Sequence, residues 1–281
     1  MTVAFALLSS ALWGIADFLG GRGARRLPTI VVLIWVQLAG AVLAAAVFLL
    51  VRPDASLGGL LWGAGAGIVG AAAIGTFYAA LAAGAMSLVA PLAACGAVLP
   101  ASVAIIGGES PSTIVVIGFV LALAGGALVA SEPAGAGTGA PLSSRALALA
   151  VAAAVLIGLL LTVLQHASQL EGSSALTAVA AARASSVVVI VLLLLAVRQG
   201  VRVGRTDLAP LVVAGIFDTS ANALFAIATT KGSDAVAAVL GSLYPVMTVV
   251  LAAAVLHERV ARFQAAGIVV ALTGVVLVSA G

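Results

Sequence analysis

The chain has 281 residues, of which 64% are hydrophobic and only 7% are charged, against roughly 25% charged residues in soluble domains. This composition predicts an integral membrane protein and excludes a soluble domain of ordinary composition. The net charge of +3 comes from arginines beside long apolar segments, so it gives no case for nucleic-acid binding. The single cysteine, Cys95, excludes an internal disulfide and a cysteine-based metal cluster.

Long apolar runs, separated by short polar breaks, recur along the whole chain. A bilayer core of about 30 Å needs about 20 helical residues to cross it, and the runs have this length. The breaks leave no room for a soluble domain, so we expect any activity to lie within or across the lipid bilayer. Ten spans are predicted, at residues 2–20, 29–51, 57–82, 86–107, 112–131, 146–166, 175–197, 208–230, 235–256 and 262–280.

Basic residues are divided unequally between the two sets of breaks, and cytoplasmic loops carry the excess of arginine and lysine. One set holds nine arginines, whereas the other holds only Arg52 and Lys231. No basic residue precedes the first span, which argues against a cleaved secretory signal. We therefore predict a multi-pass protein of the cell (inner) membrane with both termini outside the cytoplasm. The nine arginines are Arg22, Arg25, Arg26, Arg145, Arg198, Arg202, Arg205, Arg259 and Arg262.

The longest polar break, residues 132–145, lies near the middle of the chain and is rich in Gly, Pro and Ser. Such a composition is typical of a flexible linker. Five predicted spans precede it and five follow it. The sequence thus divides into a first unit at residues 1–131, a linker at 132–145 and a second unit at 146–281.

The two units share a pattern at their last span. The stretch GESPSTIVVIGFVLALAG begins at residue 108, and HERVARFQAAGIVVALTG begins 149 residues later. An odd number of spans in each unit puts the two units in opposite orientations. We predict an all-α integral membrane protein with ten transmembrane helices, built as two inverted five-helix repeats. The aligned pairs are Glu109 with Glu258, Gly118 with Gly267, and Gly125 with Gly274.

Three polar residues fall near the middle of predicted spans. A charged side chain at the bilayer centre costs about 2.5–3.5 kcal/mol by insertion scales, so each is a functional-site hypothesis. Asp218 and Asn222 share a helix face, and Arg183 lies on the preceding span. Two interpretations stay open: Arg183 and Asp218 neutralise each other and tie two helices together, or they contact a substrate.

A fourth polar residue, Asp17, lies one helical turn from Trp13 and could be an anionic or protonatable group on the wall of a cavity. Because Asp17 falls only about a turn from the predicted end of its span, we expect an interfacial residue neutralised by Arg22 or Arg25. Trp13 is the better candidate for the wall of a cavity.

Prolines and aromatic residues mark further candidate positions. Pro91 and Pro100 lie inside the fourth span, and Pro245 lies inside the ninth. Interrupted helices at corresponding places in two inverted halves are the best sequence indication of a central binding site. Phe77, Tyr78 and Tyr244 fall near these positions and offer rings that could stack on a substrate, although such rings more often serve packing.

No arrangement of residues predicts catalysis or a resident cofactor. The segment HERVA begins like a metalloprotease motif, but Ala261 stands where the second histidine belongs. The only histidines, His166 and His257, lie at span ends and cannot form a zinc site alone. We therefore expect no catalytic residue, no metal and no cofactor.

The segment GSLYPVMTVVLAAAVLHERV, which leads into GIVVALTGVVLVS, resembles EamA-type members of the drug/metabolite transporter superfamily. Its most specific part contains Ser242, Tyr244 and Pro245. The first half departs from the pattern, since Gly96 aligns with Pro245. The resemblance implies a ten-helix secondary transporter with a central cavity, often one that exports amino acids, as the YddG-like exporters do.

The favoured prediction is a transporter of small metabolites, neutral or aromatic amino acids first, working by alternating access around a midplane cavity. It would lie in a lipid bilayer as a monomer or homodimer, and Asp218 is the candidate for proton coupling. The alternatives are a membrane-embedded enzyme and a structural or assembly subunit. The predicted cavity residues are Trp13, Phe77, Tyr78, Pro100, Arg183, Asp218, Asn222, Ser242, Tyr244 and Pro245.

Overall fold

The computed structural model describes residues 1–84, 86–108, 110–130, 143–256 and 262–280, and these residues form helices joined by short turns. Glu109, Glu258 and most of the predicted linker lie outside the described residues. The helices are α1 (Thr2–Ala24), α2 (Thr29–Val51), α3 (Leu57–Ala83), α4 (Met86–Ala94), α5 (Val98–Ile106), α6 (Thr113–Ala130), α7 (Ser144–Gln169), α8 (Ala175–Val197), α9 (Arg205–Thr229), α10 (Asp234–Gly241), α11 (Tyr244–Leu256) and α12 (Arg262–Ala280).

Among the described residues, seven helical stretches are long and apolar enough to cross a membrane. They are α1, α2, α3, α7, α8, α9 and Asp234–Leu251, which joins α10 to the start of α11. Large apolar side chains such as Leu50 and Ile106 are exposed on the outside of the bundle. A surface of this kind is stable only against lipid, so the structure is that of a multi-pass membrane protein.

Local signals at the helix ends explain several boundaries. The Ser56 hydroxyl accepts a hydrogen bond from the Gly59 N–H at 3.1 Å and caps α3, and Ser174 caps α8 through the Thr177 N–H at 3.1 Å. At the other ends, Arg52 and Arg198 take left-handed backbone conformations with φ of 48° and 52°, which terminates α2 and α8. The predicted spans 29–51 and 175–197 coincide with these two helices.

Two predicted spans are interrupted, as the glycine and proline pattern indicates. The fourth span is divided into α4 and α5 by a short 3₁₀ helix at Cys95–Ala97, and the ninth is divided into α10 and α11 after Gly241. Pro100 and Pro245 lie in the first turns of α5 and α11. The first backbone N–H groups of a helix have no partner within it, so proline is tolerated there. The prolines therefore follow the breaks and do not kink continuous helices.

The helices pack around a shared centre. Helix α1 contacts α9 and α11, α3 contacts α7 and α8, α2 contacts α8 and α9, and α6 contacts α12. Side chains from several of these helices, including Phe77, Leu81 and Phe225, belong to one buried apolar cluster. The interrupted helices enter this centre from two places, since α4 packs on α7 while α11 packs on α1.

Two glycines allow these approaches. A Cβ added at Gly14 of α1 would overlap the Tyr244 carbonyl oxygen, and one added at Gly158 of α7 would overlap the Gly96 carbonyl oxygen. Small residues let transmembrane helices approach backbone to backbone. Each interrupted helix is therefore held against an uninterrupted one at its break.

Candidate functional site

A cavity lies at the centre of the bundle, with about 800 Å³ of empty space, part of it open to solvent. Its wall is predominantly apolar, and charged or amide side chains occupy only part of it. Both helix interruptions reach it, through Ala97 and Ser242. Of the residues predicted from the sequence, the structure places seven on the wall: Trp13, Phe77, Arg183, Asp218, Asn222, Ser242 and Tyr244.

The remaining three predicted residues lie beside the cavity. Tyr78, Pro100 and Pro245 are buried but are absent from the residues that line it. The Tyr78 ring is packed where a Cβ on Gly20 would overlap its hydroxyl. Pro100 and Pro245 lie in the first turns of the helices that follow the two breaks. They can therefore affect the cavity only through the position of those helices.

A buried ion pair crosses the cavity wall. The Arg183 guanidinium Nη2 lies 2.6 Å from Asp218 Oδ2, and both residues are less than one-tenth exposed. Of the two interpretations that the sequence leaves open, the structure shows the pairing. Because both residues also line the cavity, their pairing does not prevent them from contacting a ligand there.

Two amides complete the polar network. Asn222 Nδ2 donates to Asp218 Oδ1 at 3.2 Å and to the Asp218 backbone oxygen at 2.7 Å. On the other side, Arg183 Nη1 donates to Gln37 Oε1 at 2.6 Å. A buried ion pair is tolerated when further hydrogen bonds satisfy its remaining donors and acceptors, and these two amides supply part of that set.

Gln37 is a site residue that the sequence analysis missed. It lies in the middle of α2 and is 1% exposed. Within the stretch TIVVLIWVQLAGAVLAAAVFLLV, Gln37 is the only residue with a polar side chain after Thr29. A lone amide in the middle of an apolar span is costly unless it is bonded, so its position alone could have indicated a buried partner.

The expectation for Asp17 is wrong. Asp17 is 6% exposed and lines the cavity, and the described residues provide it with neither a hydrogen bond nor an ion pair. The physical reason is that α1 continues to Ala24. Asp17 is therefore about two turns from the helix end, not one. Among the contacts of Arg25 are hydrogen bonds to the carbonyl oxygens of Leu81 and Gly84.

Aromatic rings form one side of the cavity. The Trp13 ring centroid lies 5.6 Å from that of Phe225 and 6.4 Å from that of Tyr244. Tyr244 also meets Phe77 edge-on, with centroids 6.4 Å apart. Mutual packing of this kind fixes the position of each ring. We call Trp13, Phe77 and Tyr244 the aromatic wall.

Hydroxyl groups near the break in the ninth predicted span donate to backbone oxygens. Ser242 donates to the Val239 backbone oxygen at 2.7 Å, and Thr248 donates to the Gly14 backbone oxygen at 3.2 Å. The second bond links α11 to α1 beside the glycine contact. Within the part of the chain that the structure describes, no three His, Cys, Asp or Glu side chains are grouped as metal ligands.

Comparison with known proteins finds a family match and a similar solved structure. Residues 144–280 match the EamA-like transporter family. This match lies in the second half of the chain. No curated protein matches the sequence.

The fold extends over the whole chain. One solved crystal structure superposes with a TM-score of 0.74, over 98% of this chain and 95% of its own, at 18% sequence identity. An identity this low shows a shared fold alone. The EamA-like half supplies Arg183, Asp218, Asn222, Ser242 and Tyr244, whereas the first half of the chain supplies the rest of the predicted wall residues and Gln37.

Proposed function

We propose that this chain is a secondary transporter that moves small metabolites across the cell (inner) membrane by alternating access. It would have ten transmembrane helices in two inverted five-helix repeats. The observation that carries the proposal is the cavity itself, which combines an aromatic wall with a buried ion pair at the point where two interrupted helices meet. An apolar wall with a few well-placed polar groups is the usual form of a small-molecule site.

Helix packing supports the inverted repeat. Exchanging each span with the one five places away maps the contact of α3 with α7 onto that of α9 with α1, and the contact of α3 with α8 onto that of α9 with α2. The last spans of the two units, α6 and α12, pack on each other. The left-handed arginines that end α2 and α8 occupy corresponding places as well.

The paired glycine contacts support alternating access. Gly14 brings α1 onto α11 at its start, and Gly158 brings α7 onto the break before α5. These contacts are related by the same exchange of units. Two equivalent close contacts beside the cavity would let one unit tilt on the other, so that the site opens to each side of the membrane in turn.

The lining of the cavity favours amino acids as the cargo, and among them neutral or aromatic ones. Aromatic rings of the wall offer surfaces for an apolar side chain. The network of Arg183, Asp218 and Asn222 offers charged and amide groups for the polar end of such a molecule. Export is the direction that we propose, in the manner of the YddG-like exporters.

Counterflow in liposomes tests this function. Purified protein is reconstituted with an unlabelled amino-acid mixture inside, and uptake of single labelled neutral, aromatic and cationic amino acids is measured. We expect saturable uptake of at least one neutral or aromatic amino acid. No uptake across the panel, with protein shown to be folded, would contradict amino acids as the cargo.

A matched pair of tryptophan variants tests the site. Trp13→Leu removes a ring from the aromatic wall, whereas Trp62→Leu removes a half-exposed ring that packs edge-on against His166, with centroids 4.7 Å apart. We expect the first variant to lose counterflow while the second keeps it. Equal activity of the two variants would place the cargo elsewhere.

Proton coupling through Asp218 is a separate part of the proposal. Asp218→Asn keeps the shape of the side chain and removes the carboxylate. We expect the pH dependence of transport to be lost in this variant, measured over pH 5 to 8 in the same liposomes. Retention of the full pH dependence would exclude Asp218 as the proton carrier.

A further inference from the structure

The carboxylate of Asp17 is the one charge of the cavity wall to which the described residues give no partner. It is more than nine-tenths buried and lies about two turns before the end of α1. An ionised carboxylate in such a place is costly unless a cation or a set of donors meets it. A cationic ligand in the cavity would supply what the protein itself leaves out.

The charge balance of the wall points the same way. Asp17, Asp218 and Arg183 are its charged residues among those described, so two carboxylates face one guanidinium. The guanidinium is already engaged by Asp218 and Gln37, at 2.6 Å each. Asp17 and Asp218 line the same cavity, so their ionised carboxylates repel each other. With both carboxylates ionised the cavity has a net negative charge, which attracts a cation.

The aromatic rings near Asp17 indicate what kind of ligand would carry the cation. Trp13 lies one turn before Asp17 on α1, and both line the cavity. Tyr244 packs against Trp13 from the side of α11. An ammonium group is attracted to the faces of Trp and Tyr rings, and an apolar body is stabilised by the same surface.

We propose that Asp17 is the counter-ion for the ammonium group of an arylalkyl amine, whose ring packs on the aromatic wall. This inference rests on the proposed transport function and adds a second class of cargo, beside amino acids, for the same cavity. A zwitterionic amino acid has a carboxylate that would compete with Asp218 for Arg183. An amine of the same size lacks that carboxylate and leaves the ion pair intact.

Binding of radiolabelled phenethylamine to the purified full-length protein tests the proposal. Unlabelled phenethylamine, 2-phenylethanol, 3-phenylpropionate and L-phenylalanine serve as competitors, because they share the ring and differ in the charge of the polar end. We expect phenethylamine to compete best, and the neutral alcohol to be weaker by roughly tenfold or more, since it cannot pair with a buried carboxylate. Equal competition by the alcohol would overturn the proposal.

Substitutions at position 17 test whether the Asp17 carboxylate is the group that binds the ammonium. We expect Asp17→Asn to weaken phenethylamine binding by roughly tenfold or more, because it removes one partner of a buried charge pair. Asp17→Glu keeps the carboxylate and should retain binding. Asp54→Asn removes an equal charge from an exposed position between α2 and α3 and should change nothing. Unchanged binding in folded Asp17→Asn would overturn the assignment.

Counterflow measurements distinguish a failure of the amine site from a failure of the proposed transport function. If L-phenylalanine shows counterflow but phenethylamine neither binds nor exchanges, the transport function stands and the amine site is wrong. If phenethylamine binds through Asp17 but no compound shows counterflow, the site stands and the transport function is wrong. Thermal unfolding of each variant in the same detergent shows that a loss of binding is not a loss of fold.

Discussion

Asp17 and Asp218 are aspartates on the wall of the same cavity, and both are almost fully buried. Asp218 is surrounded by partners, with Arg183 at 2.6 Å and Asn222 at 3.2 Å. Asp17 has no hydrogen bond or ion pair to any residue that the structure describes. The comparison shows that burial alone does not define the role of a charge. A satisfied carboxylate stabilises the bundle, whereas an unsatisfied one is available to a ligand.

The largest effect is expected from breaking the Arg183–Asp218 pair. Arg183→Met leaves Asp218 buried without its counter-ion, so the free energy of unfolding should fall by about 3–5 kcal/mol. Unfolding by denaturant in mixed micelles measures it. Arg183→Met combined with Asp218→Leu should recover most of the loss, because neither charge then remains buried. The exposed Arg202→Met is the matched control. A single variant as stable as the wild type would contradict a structural role for the pair.

A smaller loss is expected at Gln37. Gln37→Leu keeps the size of the side chain but removes the acceptor for Arg183 Nη1. A hydrogen bond to a charged group contributes about 1.5–3 kcal/mol, and the same denaturation measurement should show a loss in this range. Gln199→Leu, at an exposed position after α8, should show none. If both variants behave alike, the Gln37 contact does not stabilise the ion pair.

The third expected loss of unfolding free energy comes from the hydrogen bond between Asn222 and Asp218. Asn222→Ala removes the amide that donates to Asp218, while the ion pair remains. We expect a loss of about 0.5–1.5 kcal/mol, the usual net value of one intramolecular hydrogen bond. Ser220→Ala, which removes a hydroxyl bonded only to the Ile216 backbone oxygen of its own helix, should be less destabilising. If this variant lost as much unfolding free energy as Arg183→Met, the Asn222 hydrogen bond would matter as much as the ion pair, which contradicts the prediction.

Asp17→Asn should be the least destabilising change of the four. Because Asp17 has no partner among the described residues, its neutralisation breaks no contact and relieves the cost of burying a charge. We expect unfolding of this variant to require at least as much denaturant as unfolding of the wild type. A loss comparable to that of Arg183→Met would show that Asp17 is structural, and the contrast between the two aspartates would fail.

Particular residues show how far sequence reasoning extends. The Arg183–Asp218 pair was predictable, because two opposite charges near the middle of consecutive spans have few other partners. The helix breaks were predictable from Gly96, Pro100 and Gly241, since glycine and proline disfavour a continuous helix. The role of Asp17 was not predictable, because it depends on how far α1 continues past Gly20, and helix ends are the least certain feature of a sequence.

By itself, the sequence determined the membrane class, the approximate position of each span and the presence of polar groups within them, since apolar length and composition decide what a bilayer accepts. Only the tertiary structure decided which of those groups meet. The polar network joins Gln37, Arg183 and Asp218 from three helices, and no local pattern encodes that meeting. Helix packing decided it, and packing left Asp17 facing an open space.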